Sequence, residues 1–512
     1  MLALGALAVG GAAAAWVYFR VSVARGPMVW DEGGHVLRAL LMAQGAQARD
    51  PGIAWGAATM DPSYPPLNTL AVAADFLAFG ASEAHAFAWT AICFAICGLL
   101  LWLIGSRLGG IAAGTFALLF LLGSRMHLEY AATAMMEVPG TAVTLLAIWL
   151  YLRHVRERRP RSAWLAGLGF AALFVYKYNF GLLLFAAVVS NEAFRRPLRP
   201  MAADTLGIWL PVVIFGAAWL AVPGRLAGFL EFAGNRDSGL HGFDSISFYP
   251  RTLAGYYAAW LPSGLLAIGG SLAALSLRRR EDLRLLLLFA GLGLVAMTIH
   301  RYKLDRSIAT VVPALWLLAS AWSADLARRV AARRPRLRWA LLAIVAITLL
   351  APLPRLYARD LPEIAAVIEH HRPHRWSRFP WPGRDLREVQ EMIVDSVDPR
   401  LPIYVAGEFN ELSPPVVWWM FALRHPEAMV MNRCWIPSTQ WQAPLNLVTI
   451  EVLPGSPYFG ADYREYNAPA LDWIRPLEES GARPLVSRMF AEPGVRVRVY
   501  RLDAVPVVVT AE

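Results

Sequence analysis

Lysine is nearly missing from this 512-residue chain: of 48 basic residues only Lys177 and Lys303 are lysines, and the rest are arginine. Cysteine is as scarce. Cys93 and Cys97 share one apolar block and Cys434 stands far away, so neither a disulfide framework nor a metal-binding spacing is present. The sequence holds no Gly-x-x-x-x-Gly-Lys-Ser/Thr loop, no His-Glu-x-x-His and no dinucleotide fingerprint placed between strand and helix. Nor is there a sizeable domain expected on the cytoplasmic side. Direct use of ATP or a nucleotide-sugar on that side is therefore not expected.

Charge is sparse too, at 17%, while 57% of the residues are hydrophobic and the mean hydropathy is +0.43. One soluble core of this size has no room for so much apolar surface, so the bilayer must serve as part of the solvent. The apolar residues come in blocks of roughly 15 to 25, the length of helical spans and unlike the ten-residue alternation of a membrane barrel. Spans are expected at 2–19, 84–104, 109–123, 137–152, 162–176, 179–193, 205–222, 253–275, 285–299, 307–326 and 338–354. The segment 66–80 is apolar but short and contains Asp75, which assigns it to the membrane interface. The formal net charge of +10 does not imply nucleic acid, because the basic residues sit mainly between apolar blocks and are not gathered on a soluble face.

Orientation follows from those arginines. Loops 105–109, 152–161, 194–200, 278–284 and 328–338 hold 1, 5, 3, 4 and 6 of them. The opposite loops are roughly three times as long and hold about 12 basic residues, which puts the arginine-rich set in the cytoplasm. Arg20 and Arg25, just past the first span, locally favour the reverse and are outvoted. The reading is a multi-pass protein of the cytoplasmic (inner) membrane with its N-terminus inside. After residue 354 Pro, Trp and charged residues replace the long apolar runs. Helical and strand patterns alternate there: a helix at Leu386–Val397, a strand at Ile403–Ala406, a helix near Val416–Leu423, a strand at Leu447–Val452, a helix near Leu471–Ser480, and strands in Leu485–Phe490 and Val495–Leu502. The expected fold is thus an all-α polytopic membrane bundle of about 11 transmembrane helices, residues 1–354 with an outer loop at 20–83. A C-terminal extracytoplasmic α/β domain follows at 355–512.

Several polar groups sit where they need a reason. Trp30-Asp31-Glu32-Gly33-Gly34-His35 follows the first span, and a helix starting near Asp31 places Asp31 and His35 on one face. Asp61-Pro62-Ser63-Tyr64-Pro65-Pro66-Leu67 is a rigid extended entry. His127 and Glu129 lie in the next outer loop, and Glu137 with Pro139 opens a span; an acid there is costly unless compensated, although it also suits a helix start. The outer loop 223–252, with Arg225, Arg236, Asp237, His241, Asp244, Tyr249 and Arg251, receives no role. Both lysines fall on the outer side, in Tyr176-Lys177-Tyr178-Asn179 and His300-Arg301-Tyr302-Lys303-Leu304-Asp305-Arg306. Cations kept at that depth against the positive-inside trend point to an anionic partner, for which a lipid phosphate is the natural candidate, with snorkelling to headgroups as the plain alternative.

Taken in order, an Asp-Glu after the first span, a Tyr-Pro-Pro-Leu, an acid before Pro in the third outer loop and a lysine between paired short spans resemble the GT-C glycosyltransferases. The nearest branches are the dolichyl- or polyprenyl-phosphate-mannose protein mannosyltransferases and the aminoarabinose transferases of lipid A. The resemblance covers roughly residues 1–320. It implies a polyprenyl-phosphate-linked sugar donor and a lipid, glycan or protein acceptor at the outer face, with membrane lipids and no nucleic acid as further partners. By similarity Asp31 is the catalytic base, Glu32 supports it and Glu137 is a second acid. His35, Tyr64, Lys177, Arg301, Tyr302, Lys303 and Arg306 fall to substrate binding, Lys177 at the donor phosphate. The family's Lys-Pro-Pro stands here as Tyr64-Pro65-Pro66, without the charge. No cofactor is assigned; a divalent metal between Asp31 and Glu137 stays open, since the cationic cluster could replace it. The alternatives from other classes are a transporter or flippase of a polyprenyl-linked glycan and a non-catalytic envelope assembly protein.

Overall fold

The computed structural model describes residues 2–19, 28, 30–61, 64–194, 201–234, 241–258, 260–301, 303–358, 383–407, 412–428, 430–432, 443–453, 477, 479–490 and 494–504. The chain is mostly helical, with one small sheet near its C-terminal end. It divides into two compact units. One comprises residues 1–23, 58–71 and 87–373, the other 24–57, 72–86 and 374–512.

The first unit holds α1 (Leu2–Val17), α5 (Glu83–Gly109), α6 (Ile111–Leu122), α7 (Arg125–Ala131), α8 (Glu137–Glu157), α9 (Pro160–Phe174), α10 (Tyr178–Ala193), α11 (Met201–Leu220), α12 (Arg225–Gly234), α13 (Gly242–Gly255), α14 (Leu261–Ala273), α15 (Glu281–Ile299), α16 (Val312–Arg333), α17 (Pro335–Leu350) and α18 (Leu353–Ala358). Nearly every expected apolar block therefore has its helix. The block expected as one span at 253–275 does not: α13 ends at Gly255 and α14 starts anew at Leu261, where Pro262 in the first turn has no N–H to continue the earlier helix.

Among the described residues, three helices are long and apolar enough to cross a membrane: α5, α8 and α15. A fourth is added if α6 and α7, bent by 66° at their junction, count as one span. The expected number of eleven is not reached by that measure. Helices α1, α9, α10 and α17 have 15 or 16 residues, short of the roughly 20 that a straight crossing needs. Leu182, Phe185, Ile214, Val295, Ile344 and Ile347 are exposed apolar side chains on these helices, as expected of an integral membrane protein.

The second unit carries a five-stranded sheet, in order β2 (Val430–Asn432), β1 (Ile403–Ala406), β3 (Leu445–Val452), β5 (Val495–Leu502), β4 (Val486–Phe490). Strand β1 runs parallel to β2 and β3, whereas β5 is antiparallel to β3 and β4, with Val448 opposite Val499. Alternate residues fill two cores. Val405, Val448, Ile450, Val497 and Val499 pack with Val389 and Ile393 of α19 (Gly383–Ser396) and Val417 and Phe421 of α20 (Pro414–Arg424), while Tyr404, Leu447, Tyr500 and Leu502 line the other face with Leu477. The helix expected near Leu471–Ser480 lies mostly outside the described residues.

Residues 24–57, expected with the membrane bundle, belong to this second unit. The reason is packing: α2 (Trp30–Gln47) lies along α20, and a Cβ on Gly33 would meet Val416 Cγ2 at 2.7 Å and its backbone nitrogen at 3.0 Å. Gln44 Nε2 donates to the Ala422 carbonyl at 2.9 Å. Phe76 of α4 (Leu67–Phe79) packs against Trp419 with ring centroids 5.8 Å apart.

Candidate active site

Glu137 is the first residue of α8, where a carboxylate faces the positive end of the helix. Its side chain is 2% exposed, so a buried charge must be compensated. Two cations do this. Lys177 Nζ donates to Glu137 Oε1 at 3.2 Å, and Arg306 Nε lies 3.8 Å from the same oxygen. The second oxygen, Oε2, is buried without a hydrogen-bond partner among the described residues. The two cations are partly exposed, so each can also meet an anion from outside.

The turns that carry these cations are held by neighbours. Lys177 caps α10 in an extended conformation, and the hydroxyl of buried Tyr176 donates to Asn68 Oδ1 at 2.9 Å and to the Met136 carbonyl at 3.2 Å. Those bonds tie the lysine turn to the residue that precedes Glu137. The Lys177 ammonium also sits 4.8 Å from the Phe180 ring centroid and 5.8 Å from that of Tyr64, so Tyr64 joins the cluster through its ring face. Gly140 makes the approach possible: a Cβ there would come within 2.7 Å of the Phe180 ring. Arg306 sits on a single 3-10 turn, Asp305–Ile308, where the Asp305 carboxylate accepts its backbone N–H at 2.7 Å.

Lys303, expected beside these cations, is placed differently. Its side chain is fully buried, and its ammonium donates to the carbonyls of Met297 (2.9 Å), Thr298 and His300, the open end of α15, with the Tyr249 ring 5.8 Å away. Burial draws its pKa below the usual lysine range, while three carbonyls hold the proton in place. It thereby caps the C-terminal end of α15. Arg301 is exposed, and Tyr302 lies outside the described residues.

In the second unit, Asp31 and Glu32 occupy the first turn of α2; Asp31 is half-buried and Glu32 is buried. His35 is also buried, its Nδ1 2.7 Å from Nη2 of Arg38, whose Nε donates to the Gly34 carbonyl at 3.4 Å. The helix spans the whole motif, so Asp31 and His35 do share a face. Asp31 and Glu137 fall in different units. Among the described residues no three of His, Cys, Asp or Glu gather as a metal ion would require. His127 is packed against Trp316 and Tyr257 with its Nδ1 2.9 Å from Ser124 Oγ, and Glu129 accepts from the Tyr256 hydroxyl at 2.7 Å.

Sequence reasoning missed Arg38 and Asn68. Arg38 had a signal, being one turn beyond His35 on the same face; Asn68, a buried polar residue opening α4 after Pro65-Pro66, had little.

A helical membrane unit with a carboxylate and cations at helix starts, joined in the same chain to a unit built on a small mixed sheet, is the class that the fold and the cluster define. Residues 63–221 match the family model of dolichyl-phosphate-mannose-protein mannosyltransferases, a stretch that includes Tyr64, Asn68, Glu137 and Lys177. The chain is similar in fold to ArnT from Cupriavidus metallidurans in the apo state, with a TM-score of 0.65 and 16% identity over 99% of this chain and 100% of that one. Against the same protein bound to undecaprenyl phosphate the TM-score is 0.64, at 16% identity over 98% and 99%. No curated protein matches the sequence. The chain thus shares the fold of ArnT over nearly its whole length and resembles the mannosyltransferase family over residues 63–221.

Proposed function

We propose that this protein is a polyprenyl-phosphate-dependent glycosyltransferase acting at the outer face of the cytoplasmic membrane, with its N-terminus inside and residues 355–512 outside. The observation that carries the reading is the buried Glu137 carboxylate shared by Lys177 and Arg306. Support comes from the end-to-end likeness to a protein whose structure has been solved with undecaprenyl phosphate.

An acceptor hydroxyl is a poor nucleophile, and a carboxylate within hydrogen-bond reach removes its proton as the new bond forms. Asp31 is given that role, with Glu32 and the buried His35–Arg38 pair fixing its helix turn. The departing polyprenyl phosphate gains negative charge in the transition state, which Lys177 and Arg306 offset, aided by exposed Arg301. Glu137 keeps both cations oriented. A single displacement at the anomeric carbon inverts it, whether the sugar is a hexose or a pentose. The acceptor is a hydroxyl of a lipid, glycan or protein. Two cations already supply the positive charge that a divalent ion would bring, so turnover is expected to survive dialysis against EDTA.

The test uses purified protein and a radiolabelled polyprenyl-phosphate sugar. Asp31→Asn is expected to lower transfer by roughly 10²- to 10⁴-fold, the usual worth of a general base, while donor binding is kept. Equal turnover of variant and parent removes the proposal.

A further inference from the structure

Arg225 stands outside the cluster just described. It is 7% exposed, yet its guanidinium makes a single hydrogen bond, from Nη2 to the Thr59 carbonyl, and no ion pair among the described residues. Nε and Nη1 are buried with no hydrogen-bond partner. A buried cation without a hydrogen-bonded counter-charge is strongly disfavoured. Its position deepens the problem. Arg225 is the first residue of α12, the positive end of the helix dipole, where a cation is disfavoured and an anion is favoured.

The chain goes to some length to hold it there. Val222-Pro223-Gly224-Arg225 forms a tight turn, closed by the Arg225 N–H on the Val222 carbonyl at 3.1 Å, with Gly224 at φ +79°. The guanidinium lies 5.5 Å from the ring of Trp219, which is 6% exposed and donates through Nε1 to the Tyr178 hydroxyl. Asp61 and Arg225 both lie within electrostatic reach of that hydroxyl. Two unused donor nitrogens, a helix N-terminus and an aromatic ring therefore lie together at Arg225, with no acceptor bonded to those nitrogens among the described residues.

We propose that Arg225 is the centre of a second oxyanion site, which takes a phosphate group and is formed by residues other than Glu137, Lys177 and Arg306. The phosphate can reach it free in solution, on a substrate, or as a phospholipid headgroup. The site stands independently of the transferase reading, since it is argued from unpaired donors and not from sugar transfer.

The experiment is calorimetric titration of inorganic phosphate into the full-length protein in phosphatidylcholine nanodiscs, at fixed ionic strength. Arg225→Gln is expected to weaken the binding by about tenfold or more, the worth of lost charge-assisted hydrogen bonds, whereas Lys177→Gln leaves this component in place. Arg225→Lys keeps the charge and the fold but loses the two aimed N–H groups, and it too is expected to weaken binding. Unchanged phosphate affinity in folded Arg225→Lys overturns the proposal, as does a parent that binds no phosphate in phosphatidylcholine. Nanodiscs doped with phosphatidylglycerol assign the source. If a headgroup fills the site, the Arg225-dependent component disappears there; if the phosphate comes from solution, it persists. Failure of the transferase reading is seen separately, as absence of sugar transfer by a parent that still binds phosphate through Arg225.

Discussion

The two lysine turns are alike in sequence, each a lysine beside tyrosine between apolar helices, and the structure uses them in opposite ways. Lys177 stays partly exposed and engages Glu137; Lys303 turns inward and closes the end of α15. The difference lies in the helix that precedes each one. At the end of α9 the carbonyls of Ala171 and Leu173 already accept the backbone N–H groups of Val175, Tyr176 and Lys177, which leaves the Lys177 side chain free to reach elsewhere. At the end of α15 the His300 N–H folds back onto Ala296, and the carbonyls of Met297, Thr298 and His300 accept the lysine ammonium. The second lysine is thus drawn inward to a helix end, whereas the first reaches across to a carboxylate.

This contrast can be broken by substitution. Lys177→Met is expected to have the largest effect on chemistry, a loss of about 10²- to 10³-fold in transfer, with a smaller fall in thermal midpoint because Arg306 still faces the Glu137 carboxylate. A large drop in midpoint instead would make Lys177 structural. Lys303→Met is expected to do the reverse, costing about 2 to 3 kcal/mol of stability through its orphaned carbonyls, while the protein that remains folded turns over normally. Full stability with lost turnover would return Lys303 to the substrate. The smallest change sharpens the comparison: Gly140→Ala pushes the Phe180 ring against the Lys177 turn, and an about tenfold fall in kcat/KM is expected from a misplacement of a few tenths of an ångström, measured beside an unaltered Arg225-dependent phosphate affinity.

Much of the helical unit was legible because a long apolar run has few alternatives in a membrane, and the strands at Ile403–Ala406 and Val495–Leu502 were legible because β-branched runs between turn signals mark strands. What failed to show was local competition. Pro262 divides an apolar block that hydropathy averages into one, and the number of complete crossings depends on helix lengths that an apolar run does not fix. The cluster was half legible: Glu137, Lys177 and Arg306 were each conspicuous as charges at the lip of an apolar helix, but their pairing spans about 40 and 170 residues of sequence. Tyr64 had lost the family's charge, yet reaches Lys177 through its ring. Asn68, which holds Tyr176, and the orphaned Arg225 had no sequence pattern to announce them.

By itself the amino-acid order determined that the chain must enter a membrane, roughly where most of its apolar helices lie, and which rare polar groups needed explaining, since burial of apolar surface and the cost of a charge in lipid are both properties of local composition. Tertiary structure decided which of those charges meet, which lysine caps a helix, and that α2 packs with α20 some 380 residues further along the chain. Pairing is a matter of distance and unsatisfied donors, and neither exists until the helices have packed.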